Sequence, residues 1–126
     1  MHVDKLVIEN CKFYNLGQES TIKNCKLTDI NFIDNYFYNI IIENSTLLYG
    51  IVENCHWSKV YFVKSNLKLI TFKDSLLNNC HFKSSSLEKI NFINTKNINP
   101  YYFNCEFDGI NIQAFTPEQI NTQITK

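Results

Sequence analysis

The feature that most restricts how this chain can fold is a large apolar residue at every fifth position. Between residues 62 and 82 these are Phe62, Leu67, Phe72, Leu77 and Phe82. The same frame holds from Ile22, Leu27, Phe32, Phe37 and Ile42 through Trp57 to Leu87 and Phe92, fifteen consecutive apolar positions. With 44% of residues apolar, a preset frame would do this by chance about 5 times in a million. An amphipathic helix repeats near 3.6 and a half-buried strand at about 2. A period of five belongs to neither. The frame breaks at Asn97 and resumes with Tyr102, Phe107 and Ile112.

Two residues before each large residue stands a second ordered position, mostly small or β-branched. In an extended chain such a pair points to the same side, so each unit sends one small and one large residue inwards. An odd repeat cannot preserve strand alternation, and the chain must turn a corner once per unit. Read at every twentieth residue, the small position is Cys25, Ser45, Ser65, Ser85 and Cys105, and the next is Ile30, Gly50, Ile70, Ile90 and Ile110. The large position sorts in the same way, with Leu27, Leu47, Leu67 and Leu87 beside the first set. Like stacks on like at a period of twenty. This predicts an all-β solenoid with four sides, its turns about 4.8 Å apart through strand-type hydrogen bonds.

The units "NCKLT", "NSTLL", "NCHWS", "NCHFK" and "NCEFD" resemble those of the pentapeptide-repeat family, from about Ile8 to Gln113. The resemblance implies a right-handed quadrilateral β-helix. The expected organisation is an N-terminal cap and irregular first coil over 1–21, the repeat β-helix over 22–113 and a C-terminal capping helix or tail over 114–126. Phe13 to Ile22 is nine residues where two units need ten, which predicts a one-residue deficit and an irregular corner near Leu16–Gly17. Asn97 and Pro100 fall at inward positions, and an unpaired amide in a dry core costs about 2 kcal/mol or more. A bulge that turns Ile98 inwards is the expected remedy. In the tail, Thr116, Pro117 and Gln119 suit the start of a helix, with Phe115 and Ile120 spaced as a hydrophobic staple.

The residues that could carry chemistry are dispersed. All five cysteines take the small inward position, where a compact apolar side chain is wanted. No Cys/His spacing of a zinc site occurs. His56 and His81 fall at outward positions on different sides, and the acids interleave with lysines. Nothing pairs a nucleophile with a base. This predicts a protein that is not an enzyme and takes no cofactor or metal. The 12 basic and 12 acidic residues cancel, which argues against nucleic acid or an anionic membrane as partner. No secretory leader or membrane-length apolar run is present, and a cytoplasmic location is expected.

What remains is surface. Ile41, Tyr61, His81 and Tyr101 precede the large position on one side, with Val63 and Phe103 just after it. They form the candidate partner surface of a protein-binding or scaffold module, a second copy of the chain included among its partners. The family resemblance implies an alternative: protection of DNA gyrase and topoisomerase IV from quinolone-type antibiotics by mimicry of duplex DNA. Mimicry needs dense negative charge along a face, which this mixed-charge sequence does not offer.

Overall fold

The computed structural model describes residues 2–4, 7–9, 12–14 and 20–110. All strand pairs are parallel, and from Ser20 onward partners differ by twenty: Ile22 with Ile42, Leu27 with Leu47, Leu47 with Leu67, Leu67 with Leu87. Four units make one turn. Side one holds residues 25–29, side two 30–34, side three 35–39 and side four 40–44, and each recurs every twenty residues. Sides one and two form one eight-stranded sheet and sides three and four another. Residues 25–104 make four regular turns.

The corner answers why a strand can turn every five residues. The second residue after each large one has positive φ, from Asn24 to Asn104 without exception, with values of 47° to 64°. That left-handed conformation costs an ordinary L-residue about 1–2 kcal/mol, and Asn and Asp tolerate it best. Eleven of these seventeen non-glycine corners are Asn or Asp, and the eighteenth corner is Gly109. The abundance of asparagine is therefore a backbone requirement. Leu69 stands at such a corner with a side chain 40% exposed. Leu69→Asn is expected to stabilise by about 0.5–1 kcal/mol, raising the melting temperature by about 2–4 °C; an unchanged or lower value would show that the leucine is well accommodated there.

Two corner types explain the two kinds of small inward residue. In the first turns the strands Lys26–Ile33, Tyr36–Glu43, Thr46–Glu53, His56–Val63 and Asn66–Lys73 run through one corner and break at the next. After a break the small residue is Cys25, Asn35, Ser45, Cys55, Ser65 or Ser75; after an unbroken corner it is Ile30, Ile40, Gly50, Val60 or Ile70. The break exposes a backbone N–H that needs an acceptor, and the hydroxyl one turn on supplies it. On side one, N–H of Cys25 donates to Ser45 Oγ (3.1 Å), that of Ser45 to Ser65 Oγ (3.2 Å), and that of Ser65 to Ser85 Oγ (3.1 Å). Side three repeats this from Cys55 to Ser75 and from Ser75 to Thr95. The hydroxyls in turn donate to carbonyls, as Ser45 does to Glu43 (2.9 Å). Each inward serine thus both accepts and donates.

Large residues fill the axis in columns. Phe62, Phe82 and Tyr102 stack with ring centroids 4.9 and 5.2 Å apart, and Phe72 stacks on Phe92 at 5.3 Å. These distances match the rise per turn, so a ring meets its equivalent face to face. Trp57 stacks on Phe37 (5.3 Å), and its indole N–H donates to Asn35 Oδ1 (3.3 Å).

Two expectations need correction. The strands His2–Asp4, Val7–Glu9 and Lys12–Tyr14 pair with residues 24 further on: Val3 with Leu27, Ile8 with Phe32, Phe13 with Phe37. Since Ile22 then pairs with Ile42, Phe13 and Ile22 are successive units. The nine residues between them are one unit plus four extra, not two units less one. Nor is there a bulge at Asn97: Lys96–Ile98 pairs in register with Leu76–Asn78, and Ile98 is exposed. Keeping the ladder preserves several backbone hydrogen bonds, whereas one amide is left partly unsatisfied. Asn97 Nδ2 reaches the Tyr102 hydroxyl only at 3.5 Å, and its Oδ1 is buried without a partner. Pro100 fits the small inward position and is buried. The capping helix over 114–126 and the corner at Leu16–Gly17 lie outside the described residues.

Candidate functional site

Side four brings together all six candidate residues. Tyr36–Glu43, His56–Val63, His81–Lys83 and Tyr101–Phe103 lie side by side, aligning Ile41, Tyr61, His81 and Tyr101 in one column and Glu43, Val63, Lys83 and Phe103 in the next. Outward parity and the twenty-residue period make this placement unavoidable once the solenoid forms. The rings pack against one another. Tyr61 stacks on His81 at 4.5 Å with planes 23° apart, and His81 lies 5.3 Å from Tyr101 at a tilt of 56°. Tyr101 is parallel to Phe103 along the strand (6° between planes, 6.3 Å). Tyr101 and Phe103 are 41% and 49% exposed, while Ile41, Tyr61, Val63 and His81 are half-buried. Partial burial holds the His81 imidazole below its ordinary pKa, so the ring is neutral near neutral pH.

The edges of this side are basic, a feature that reading the outward strand positions alone does not reveal because Lys59 and Lys64 stand at corners. Lys59 stands at the corner shared with side three, its Nζ 5.7 Å from the Tyr38 ring centre. Lys64 stands at the opposite corner and Lys83 on the face itself. Among the described residues none of the three has a carboxylate partner, whereas Lys23 pairs with Glu43 (3.7 Å).

Elsewhere the polar groups are engaged with each other. Along the corner between sides two and three, Asn54 donates to Asp34 (2.6 Å) and Asn94 to Asp74 (2.7 Å). Acid and amide alternate, so the carboxylates lie two turns apart and are already bonded. A shallow open groove follows this corner past Tyr36, His56 and Leu76. His56 meets the Tyr36 ring edge-on, and its Nε2 is buried without a partner. On side one, Lys68 and Glu88 pair at 3.7 Å.

The thiols are held in the interior. Cys25, Cys55, Cys80 and Cys105 are buried and free, and Cys11 lies outside the described residues. Burial pushes Cys80 up to about 12, and raises Cys55 and Cys105 in the same direction. Each sulfur lies against backbone carbonyls, as Cys55 does against Phe32 and Glu53 (3.3 Å each). A thiol kept protonated is a poor nucleophile and a poor metal ligand. Cys55→Ala is expected to lower stability by about 1 kcal/mol through lost packing and an unfilled ladder position, with no change in binding. Thiol labelling of the native protein should be slow at all four sites, and rapid reaction at Cys55 would show that the interior is open.

Among the described residues no group of three His, Cys, Asp or Glu is placed to hold a metal, and no helix is long and apolar enough to cross a membrane. No family model matches the sequence, and no curated protein does. Solved structures do. A pentapeptide repeat protein (Rfr23) from the cyanobacterium Cyanothece 51142 superposes with a TM-score of 0.52 at 13% identity, covering 90% of this chain and 78% of that one. A trypsin-treated form of QnrB1, a plasmid-mediated fluoroquinolone resistance protein, is a looser match: TM-score 0.40, 10% identity, 92% of this chain and 77% of that one. The five-residue period, the four-sided parallel solenoid and the superposition on Rfr23 agree: this chain has the pentapeptide-repeat β-helix fold.

Proposed function

We propose that the chain is a non-enzymatic protein-binding module whose contact surface is side four. The observation that carries this reading is the contiguity of Tyr61, His81, Tyr101 and Phe103, which join into one aromatic patch with its most exposed end at Tyr101 and Phe103. Scattered exposed aromatics need no explanation, but a joined set on one face is the composition of an interface core. The free buried thiols suit a reducing compartment such as the cytoplasm.

Mimicry of DNA fits the surface less well. The corner of Asp34 and Asp74 carries one carboxylate per two turns, roughly one per 9.6 Å of axis. Duplex DNA carries one charge per about 1.7 Å. Asn54 and Asn94 occupy those carboxylates besides.

The test is the double substitution Tyr61→Ser with Tyr101→Ser. Each removes a ring contact worth about 0.5–1.5 kcal/mol, so the fold should survive with a modestly lower melting temperature. Self-association in sedimentation and capture of a partner should weaken at least tenfold. If both are unaffected while stability falls, the rings serve only cross-strand packing and the reading fails.

A further inference from the structure

We infer that the partner of side four is an acidic polypeptide segment carrying apolar or aromatic residues between its carboxylates. This rests on the reading of side four as a contact surface and adds the chemistry of its occupant. The first ground is charge. Among the described residues, side four with its two corners holds Lys23, Lys59, Lys64 and Lys83 against Glu43 alone, a net of +3, in a chain whose total is zero. Among the described residues, side two with its corners, across the solenoid, holds Glu9, Asp29, Asp34, Glu53 and Asp74 against Lys73 and Lys89, a net of −3. The neutral total conceals a separation of sign across the molecule. After the Lys23–Glu43 pair is set aside, three ammonium groups remain around the aromatic patch without a carboxylate among the described residues.

The second ground is where those lysines stand. Lys59 (φ 55°) and Lys64 (φ 50°) occupy left-handed corners where Asn or Asp suits the backbone better. They flank Tyr61 at both ends of one side of one turn.

The third is ring orientation. Tyr61 and His81 cover each other's faces, so these two rings present edges outwards. An aromatic edge is the positive part of the quadrupole and favours a carboxylate. The same packing disfavours single-stranded nucleic acid, which binds by stacking bases on open ring faces. The chain also has no arginine to fork a phosphate: all 12 of its basic residues are lysines.

The probe is a fluorescein-labelled 14-residue peptide alternating Glu with Leu and Tyr, read by anisotropy at low and moderate salt. Its Gln-for-Glu counterpart and a 20-nucleotide single-stranded DNA serve as comparisons. The charge variant is Lys59→Asn, Lys64→Asn and Lys83→Gln, whose new corner residues suit the backbone, so it should fold and melt at or above the wild-type temperature. The acidic peptide should bind at least tenfold tighter than its Gln counterpart, and binding should weaken at least tenfold in the charge variant and in Tyr61→Ser/Tyr101→Ser. Loss in the tyrosine variant alone would leave side four as a contact surface and overturn its acidic preference. Equal binding by the tyrosine variant and wild type would overturn both readings. No binding of the acidic peptide at 100 µM, or tighter binding of the DNA, would overturn the inference.

Discussion

Phe72→Asp is expected to yield no folded protein. Phe72 is 1% exposed, stacked on Phe92 and edge-on to Trp57 at 5.5 Å. Burying such a side chain stabilises by about 1.5–3 kcal/mol. A carboxylate in its place loses this and adds several kcal/mol for a buried charge without a partner. The sum approaches the roughly 5–15 kcal/mol that holds a domain of this size together. Topology sharpens the effect, because each turn of a solenoid touches only its neighbours. A break at Phe72 separates the turns below from those above, and neither part has another surface on which to bury its open end. Leu67→Asp, one unit earlier and equally buried, should behave in the same way. Lys73→Asp, one residue away but exposed, should melt within a few degrees of wild type. Circular dichroism and solubility report the outcome. A soluble Phe72→Asp protein with the wild-type melting curve would overturn the inward register.

That register is the part of the fold most legible in the sequence, and the reason is stacking. Each inward position meets its own equivalent one turn away, so neighbours twenty apart share size and shape, as Leu27, Leu47, Leu67 and Leu87 do. The corners are half legible. The recurrence of Asn and Asp in a frame of five is visible, but its purpose, a left-handed backbone, emerges only from the dihedral angles. In the first turn the spacing from Phe13 to Ile22 fits ten minus one, the expected deficit, and equally five plus four. Strand pairing, which links residues 24 apart, decides between them. At Asn97 a buried amide competes with the ladder hydrogen bonds that a bulge would break on both strands. The amide near the end of the coil is the smaller loss.

The site divides in the same way. The two columns of side four follow from the twenty-residue period and could be written down residue by residue. Their packing could not, because face-to-face stacking of Tyr61 on His81 depends on side-chain torsions that no period encodes. The basic border is less legible than the two columns. Lys59 and Lys64 are five residues apart, yet they stand at opposite corners of one side, and only the path of the chain around the square shows that they bracket Tyr61.

Gly50→Ala should destabilise although it exchanges glycine for a better strand residue. Gly50 takes the small inward position of side two, between Ile30 below and Ile70 above. Its equivalents are isoleucines, so an added methyl group would be expected to fit. It does not: a Cβ at Gly50 would overlap the carbonyl oxygen and Cγ1 of Ile30, and would lie 2.9 Å from the Ile30 nitrogen. Backbone atoms make two of these three contacts, and they cannot rotate aside. Two effects oppose each other. Removing glycine restricts the unfolded chain and stabilises by about 0.4–1 kcal/mol. Overpacking against fixed backbone costs about 1–3 kcal/mol, and more if the ladder between the two turns is displaced. The clash should win, lowering the melting temperature by about 4 °C for each kcal/mol. Adding Ile30→Ala separates the causes, since it removes Cγ1 but leaves the carbonyl in place. The double variant should therefore be no more stable than Gly50→Ala alone, and lower still by the lost burial of Ile30. Recovery of the wild-type melting temperature in the double variant would assign the clash to the side chain. An undiminished melting temperature in Gly50→Ala itself would show that the two turns can separate to the spacing of their neighbours, and that the close approach at Gly50 contributes nothing to the fold.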